Sequence, residues 1–293
     1  AGSDFTQLTA SEQEQALTDP LTLTLLTGSR LLAEADMDSE LVIQPDAHLK
    51  VAGADNAAVV ISVIDSGTGE ITSGWRGITV NGEAAIDDQT AQLNIQYLRI
   101  FDSGEDGQAA VTLNNVGAGS QISFLDIYGA GSNGLSINGG GVNLDNLVMG
   151  NIAGDPLFWQ NGYAGTIETA VINPGESSQG AVLHGINDAQ DYNAQPRSRP
   201  VITNLTAVGF GSDNTAILLQ QGSGLLLFNS VFSDFSVCLD IDDSETAALL
   251  ADPADILFDG VILSCDHSLA DESELSGTDY GYDVVNSSGV YEE

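Results

Sequence analysis

The chain consists of short runs in which apolar and polar residues alternate, separated by Gly, Asn, Asp and Ser. Alternation of this kind predicts half-buried β-strands, and residues 93–100 (LNIQYLRI) are a clear example. Helical patterning is confined to residues 11–17 and to residues 245–251, each of which predicts a short helix. The pattern therefore predicts an all-β protein of many short strands.

Two families of strand-like segments repeat along the chain and interleave. Copies of the first begin at residues 93, 124, 145, 168, 204, 229 and 259. Copies of the second begin at residues 110, 134, 181, 216 and 238. Equivalent segments are roughly 22 to 27 residues apart, which matches one coil of a solenoid whose stacked coils bury a shared apolar column. We therefore expect a right-handed parallel β-helix; the alternative, a β-sandwich, would show more two-residue hairpin turns.

The repeat divides the chain into three regions. Residues 1–40 form an N-terminal extension or cap, residues 41–270 the β-helix, and residues 271–293 an acidic C-terminal cap or tail. Within the extension, Leu21–Leu26 (LTLTLL) is a good strand without a partner in the repeat, and such an edge invites strand exchange. Residues 186–200 form a polar loop that lengthens one coil.

The charge of the chain is strongly acidic, with 42 Asp and Glu against 6 Lys and Arg and a formal net charge of −36. Because 42% of the residues are hydrophobic, this charge belongs on the surface of a folded core. Such a surface repels nucleic acid and acidic polymers, and the six cations form no patch, so nucleic-acid binding is excluded. No apolar run is long enough to span a membrane. Hard carboxylate oxygens make Ca²⁺ the expected small partner.

Export is the expected destination of the chain. It opens at Ala1-Gly2-Ser3 without Met, as after removal of a signal peptide, although residues left by cloning would look the same. Its two cysteines, Cys238 and Cys265, are either a disulfide or two buried thiols. For an exported chain the disulfide is favoured.

Several segments resemble a family of exported right-handed parallel β-helix surface proteins of marine and aquatic Gram-negative bacteria. The resemblance covers most of the chain after about residue 40. It rests on residues 40–51 (ELVIQPDAHLKV), 74–82 (GWRGITVNG), 196–206 (PRSRPVITNLT), 216–219 (AILL) and 238–242 (CLDID). It implies the solenoid fold and a secreted, cell-surface location, and it implies no particular enzyme activity. The chain departs from longer relatives in lacking disulfide-bearing insertions after the tryptophan motif.

Catalytic motifs are weak in this sequence. A polyuronate lyase needs a basic residue, and the one cationic pair, Arg197 and Arg199, lies between prolines in a loop. Among 42 acids some pair will satisfy the carboxylate spacing of a glycosidase by chance. Gly154-Asp155-Pro156 and His184-Gly185 resemble fragments of polygalacturonase motifs, but the paired aspartates and the downstream basic motif are missing. We therefore predict no catalytic residues.

Two groups of residues are candidates for binding. Asp240, Asp242, Asp243 and Glu245 form the densest acidic run beside a strand end and could hold Ca²⁺, although a solvated corner or a helix cap explains them too. The candidates for ligand contact are Trp159, Tyr163, Arg197 and Arg199. Trp159 would be a sugar-stacking platform if it is exposed.

Three functions remain open from the sequence. The first is a non-enzymatic extracellular structural protein, a subunit of a surface filament or surface layer that assembles with itself by coil-end stacking or N-terminal strand exchange. The alternative is a monomeric surface module that binds carbohydrate or an outer-membrane partner. A glycan-active β-helix enzyme is the second alternative.

Overall fold

The computed structural model describes residues 20–34, 39–64, 74–86, 88–211, 214–270 and 290–292. Residues 11–17 and most of the acidic C-terminal region lie outside the described residues, so the predictions for them stay predictions. The described chain winds into a right-handed parallel β-helix, which confirms the predicted fold class. Its strands form two large sheets.

The smaller sheet has nine strands, and successive strands belong to successive coils. Its pairs are parallel throughout. In chain order its members are β3 (Glu40–Ile43), β6 (Gly77–Asn81), β8 (Val111–Val116), β10 (Leu135–Gly140), β12 (Leu157–Gln160), β14 (Leu183–Gly185), β16 (Thr215–Gln220), β19 (Val237–Asp242) and β22 (His267–Leu269).

The larger sheet has 14 strands, also paired in parallel. They are β1 (Leu21–Leu26), β2 (Arg30–Glu34), β4 (Ala47–Ala52), β5 (Val59–Ile64), β7 (Leu93–Phe101), β9 (Gln121–Ala130), β11 (Asn143–Ile152), β13 (Thr166–Asn173), β15 (Val201–Val208), β17 (Leu225–Phe228), β18 (Val231–Ser233), β20 (Ile256–Asp259), β21 (Val261–Ser264) and β23 (Val290–Glu292).

A corner divides the larger sheet into two arms. In β7, β9, β11, β13 and β15 a residue near the middle of the strand has a left-handed backbone, and the strand changes direction there. The register places these residues opposite one another in successive coils, so they form one column along the solenoid. The column comprises Tyr97, Phe124, Asn146, Thr169 and Asn204, with φ from 52° to 65°. Residues before the column form the first arm and residues after it the second arm.

The core is the apolar column that the repeat predicts. In β9, Ile122, Leu125 and Ile127 are buried, while Phe124 and Tyr128 are exposed. The same inward positions are apolar in neighbouring coils, for example Leu144 opposite Ile122. Burial of a continuous column at roughly 25 cal/mol per Å² of apolar surface is what stabilises coils that could not fold alone.

Two predictions about the first forty residues need correction. Leu21–Leu26 does have a partner, because β1 pairs in parallel with β4, and β2 pairs with β5. Within the described residues the solenoid therefore includes β1 and β2, and the boundary predicted at residue 40 falls inside it. The sequence concealed this because the long interval between β4 and β7, from Leu49 to Leu93 in the register, obscures the repeat.

Other local predictions are confirmed. The segment 245–251 is helical, as α1 (Ser244–Ala248) followed by a 3-10 turn at Leu249–Ala251. A second 3-10 turn lies at Glu105–Gly107. Cys238 and Cys265 form a disulfide with a Cα–Cα distance of 5.6 Å.

Candidate functional site

Trp159 and Tyr163 lie in the core, which corrects their prediction as ligand contacts. Trp159 occupies an inward position of β12, and its indole Nε1 donates a hydrogen bond to Ser223 Oγ at 3.0 Å. The Tyr163 hydroxyl donates to the carbonyl of Val142 at 3.0 Å, and burial raises the pKa of that hydroxyl. Neither ring reaches the surface, so neither can stack on a sugar.

Arg197 and Arg199 fasten a loop. The Arg197 side chain is only 13% exposed and donates to the carbonyls of Gly222 and Tyr192. Arg199 donates to the carbonyl of Ala254, and both guanidinium groups lie 4.0 Å from Asp255 Oδ1. These contacts tie residues 186–200 to the two following coils, and this geometry favours a role in positioning the loop over ligand contact for both arginines.

The acidic run at the end of β19 is not assembled as a metal site. Asp243 caps α1, since its Oδ1 accepts from the Thr246 amide at 2.8 Å and its Oδ2 accepts from the Gln221 amide. Glu245 Oε2 accepts from the Ser244 hydroxyl at 2.9 Å. Among the residues that the structure describes, no three acidic, His or Cys side chains gather as metal ligands, so Asp240, Asp242, Asp243 and Glu245 do not converge. Calcium binding stays a prediction.

The motif fragments at Asp155 and His184 do come together, on the nine-stranded sheet. Asp155 Oδ2 lies 2.8 Å from His184 Nδ1, and His184 Nε2 lies 2.8 Å from the Gln220 amide nitrogen. With the Gln220 amide as donor to Nε2, the Nδ1–H of His184 donates the hydrogen bond to Asp155 Oδ2. The Asp155 and His184 side chains are 15% and 17% exposed. Both ring nitrogens are thus engaged within the protein, which suits a structural pair more than a general acid or base.

An exposed groove runs along the corner and the second arm of the larger sheet. It consists of two hollows, of about 320 and 560 Å³, that share Asp126, Val148 and Val171 and are therefore continuous. We call it the corner groove. Its main lining residues are Tyr97, Phe124, Asp126, Tyr128, Val148 and Val171.

Two stacked aromatic rings close one end of the corner groove. Tyr97 and Phe124 hold equivalent left-handed corner positions in adjacent coils, and their rings stack at 4.2 Å with an angle of 3° between the planes. Tyr97 covers the face of Phe124 that is directed to the preceding coil. The opposite face is directed to the next coil, where the corner residue is the shorter Asn146. Phe124 is 40% exposed, so part of its ring is presented to the groove.

Asp126 lies at the centre of the corner groove, on the same outward side of β9 as Phe124 and Tyr128. Burial raises the pKa of its carboxyl, and Arg99, with Nε 3.6 Å from Asp126 Oδ2, opposes that shift. The pair provides a carboxylate acceptor and a guanidinium donor side by side. Polar groups of this kind fix the orientation of a ligand on apolar walls.

Tyr128 is held across the backbone of Gly150 in the next coil. A Cβ at position 150 would lie 2.9 Å from Tyr128 Cδ2, so a glycine is required for the ring to lie there. Phe124 and Tyr128 are 40% and 51% exposed. Phe210, also exposed, borders the far end of the same hollow.

Sequence reasoning missed these residues although a signal was present. In Phe124-Leu125 and in Tyr97-Leu98 two apolar residues are consecutive, and a strand cannot bury both. The left-handed corner settles which one faces out, because Leu125 and Leu98 are buried. Without the corner position, the aromatic residue is indistinguishable from a core residue.

No helix of the described part of the chain is long and apolar enough to cross a membrane. Comparison with protein families matches residues 88–276 to a model described as a pectate-lyase-like beta helix domain. The search of curated proteins and the search of solved structures gave no match.

Proposed function

This chain belongs to the family of pectate-lyase-like β-helix domains, and we propose that it is an exported, non-catalytic member that binds carbohydrate through the corner groove. The observation that carries the proposal is the exposed Phe124 ring, which lines a groove with Asp126 and Arg99 at its centre. Sugars have an apolar face and a rim of hydroxyl groups. An aromatic face beside paired donors and acceptors matches both.

The geometry of the nine-stranded sheet supports a non-catalytic role. Asp155 and His184 are the residues there that resemble hydrolase motifs, and both His184 nitrogens already have partners in the protein. A general acid or base has to reach the proton that it transfers. In the corner groove, binding needs no such group, since stacking and hydrogen bonds to hydroxyls suffice.

An extracellular location is supported by the disulfide between Cys238 and Cys265, because disulfides persist in oxidising compartments. The net charge of −36 keeps such a protein soluble and separate from other anionic surfaces. Both features suit a protein that meets polysaccharide outside the cell.

The experiment is a depletion assay with insoluble and soluble polysaccharides, comparing the wild type with Phe124→Ala. Removing the Phe124 ring should weaken binding about tenfold, because about 1.4 kcal/mol of apolar contact is lost. The matched control is Phe228→Ala, which truncates an outward-facing Phe four coils further along. Gly150→Ala should also weaken binding, by displacing the Tyr128 ring while the Tyr128 side chain itself is kept.

The outcome that contradicts the proposal is equal binding by the wild type, Phe124→Ala and Phe228→Ala. Failure of the wild type to bind any polysaccharide would contradict it as well. Circular dichroism of each variant guards against unfolding, since all four proteins should keep the same β-sheet spectrum.

Self-assembly is a second candidate function, favoured by the first coil. Leu23 and Leu31 point into the solenoid, opposite the buried Leu49 and Ile61, yet they are 38% and 39% exposed. Within the described residues, no strand pairs with the outer edge of β1. An open apolar end with a free strand edge is suited to a second copy stacked end to end.

Light scattering coupled to size exclusion tests this candidate, with Ca²⁺ at high salt and again with chelator. Polymers that Leu23→Lys or Leu31→Lys abolishes would support end-to-end stacking. A protein that stays monomeric under both conditions would contradict self-assembly.

A further inference from the structure

We propose that the ligand of the corner groove is an uncharged, linear polysaccharide that lies parallel to the solenoid axis, and that the groove rejects polyuronates. This inference rests on the proposed function and specifies its ligand. The proposed ligand differs from the acidic substrate that the name of the family suggests.

The direction of the ligand follows from how the groove is built. The lining residues come from successive coils: Tyr97 from β7, Phe124 from β9, Val148 from β11 and Val171 from β13, with Phe210 after β15. Parallel strands are spaced by about 4.8 Å, so these five coils span roughly 19 Å along the axis. A sugar unit in an extended chain is about as long as one coil spacing. The groove therefore has room for about four units in line.

The groove has an apolar floor with polar side chains at its border, and this arrangement suits a neutral sugar chain. Val148 and Val171 are exposed and lie directly opposite each other in adjacent coils, so they form an apolar floor. Asn146 and Asn173 border that floor and offer amide donors and acceptors. Such a surface can pack against sugar rings and hydrogen-bond to their hydroxyl groups without any charge on the ligand.

The charges around the groove exclude an anionic chain. Asp55 and Asp126 line the first hollow and Asp126 and Glu176 the second. Arg99 is the single cation among these lining residues, and Asp126 lies against it. The net charge of the whole chain, −36, adds to the repulsion of an anionic ligand. A polyuronate would bring one carboxylate per sugar unit to this surface, and like charges at this range repel strongly in low salt.

The test is calorimetry at low salt with neutral cello-oligosaccharides and xylo-oligosaccharides of two to six units, and with tetragalacturonate. Affinity for the neutral series should rise with length to about four units and then level off, as expected for four coil spacings. Tetragalacturonate should bind at least about tenfold more weakly than the neutral tetrasaccharide. Added salt should reduce this difference in affinity.

A charge variant shows whether the groove itself causes the rejection. Asp55→Asn, which removes a charge from the rim of the first hollow and leaves the Asp126–Arg99 pair in place, should improve tetragalacturonate binding about twofold at low salt and leave neutral binding unchanged. The matched control, Asp46→Asn, removes the same charge from an exposed residue of the short turn between β3 and β4. It should not change the difference in affinity between the neutral tetrasaccharide and tetragalacturonate.

Each outcome bears on a separate statement. Polyuronate binding as tight as neutral binding overturns the ligand class and leaves the groove as a sugar site. A plateau at two units overturns the axial orientation. If the Asp55→Asn variant keeps the full difference between neutral and anionic ligand, the charge of the groove is not the cause of the rejection. Absence of binding to any oligosaccharide or polysaccharide overturns the proposed function itself.

Discussion

At the scale of single residues, the corner column sets both the shape of the coils and the exposure of the groove. A left-handed backbone suits Asn, whose short polar side chain tolerates it, and the column has Asn at 146 and 204. Tyr97 and Phe124 occupy the same conformation with bulky rings, which places those rings outside the core. Strain accepted at two corners is thus associated with the aromatic surface that the proposed function uses.

Thr169 is the least suitable residue of that column, because its side chain is β-branched and its φ is 65°. We expect Thr169→Asn to raise the free energy of unfolding by about 1 kcal/mol, measured by urea denaturation. The mirror variant Asn204→Thr should lower it by a similar amount. No change in either variant would mean that the column does not carry this strain.

Asp126 should make stability depend on pH in a defined direction. Its pKa is raised, so the folded state binds the proton more tightly than the unfolded state does. Ionisation therefore costs stability above the folded-state pKa, and the cost disappears as the pH falls below the ordinary value of 3.8. Asp126→Asn should be more stable than the wild type at neutral pH and equal to it at low pH. Urea denaturation at both pH values checks this, with Asp46→Asn as control. A wild type that is more stable than Asp126→Asn at neutral pH would contradict the prediction.

Inside and outside positions could be predicted from the sequence only where alternation is regular. The side that Trp159 faces could not be predicted because Leu157-Phe158-Trp159 offers three apolar residues in a row, and the strand buries the first and third. Phe124 was overlooked because a corner, invisible in the periodicity, interrupts its strand. The burial of Tyr163 depends on Val142, which belongs to the preceding coil and is not adjacent in the pattern.

At the scale of elements, each coil is stabilised by its neighbours, and the two ends have fewer neighbours than the middle. The loop at residues 186–200 shows how an insertion is accommodated. Buried Asn187 donates to the carbonyls of Tyr192 and Ala194 and accepts from the Ser198 amide at 2.7 Å. The loop could be predicted from the sequence. Its internal contacts could not, because they join side chains to backbone groups and follow no periodic pattern.

The disulfide secures the C-terminal coils by joining β19 to the segment after β21. It closes a loop with a sequence separation of 27, for which chain entropy predicts about 3.5 kcal/mol of stabilisation. We expect the double variant Cys238→Ala, Cys265→Ala to lose roughly that amount in urea denaturation. The wild type measured in reductant should match the variant. A loss below about 1 kcal/mol would show that packing alone holds these coils.

At the scale of the whole molecule, the fold was predictable because repetition is a global property. Every coil carries the inward alternation, so a few irregular segments do not hide it. The start of the solenoid was less visible, because the first coils, β1 to β5, are separated from the regular repeat by a long interval. The corner groove was invisible at this scale, since it arises from residues about one coil apart that only the register brings together.

The net charge of −36 should make stability rise with ionic strength. Acidic side chains repel one another across a compact rod, and salt shortens the Debye length from about 30 Å at 0.01 M to about 8 Å at 0.15 M. We expect the midpoint of thermal unfolding to increase steadily with NaCl over that range. Unchanged or falling midpoints would indicate that the acidic surface is compensated by bound cations.

The most direct measurement is a crystal structure of the protein with a neutral tetrasaccharide. The account predicts a sugar chain parallel to the solenoid axis that contacts the exposed part of the Phe124 ring and lies along Val148 and Val171. Sugar bound instead on the nine-stranded sheet beside His184 would contradict it, as would crystals in which the corner groove stays empty at saturating ligand.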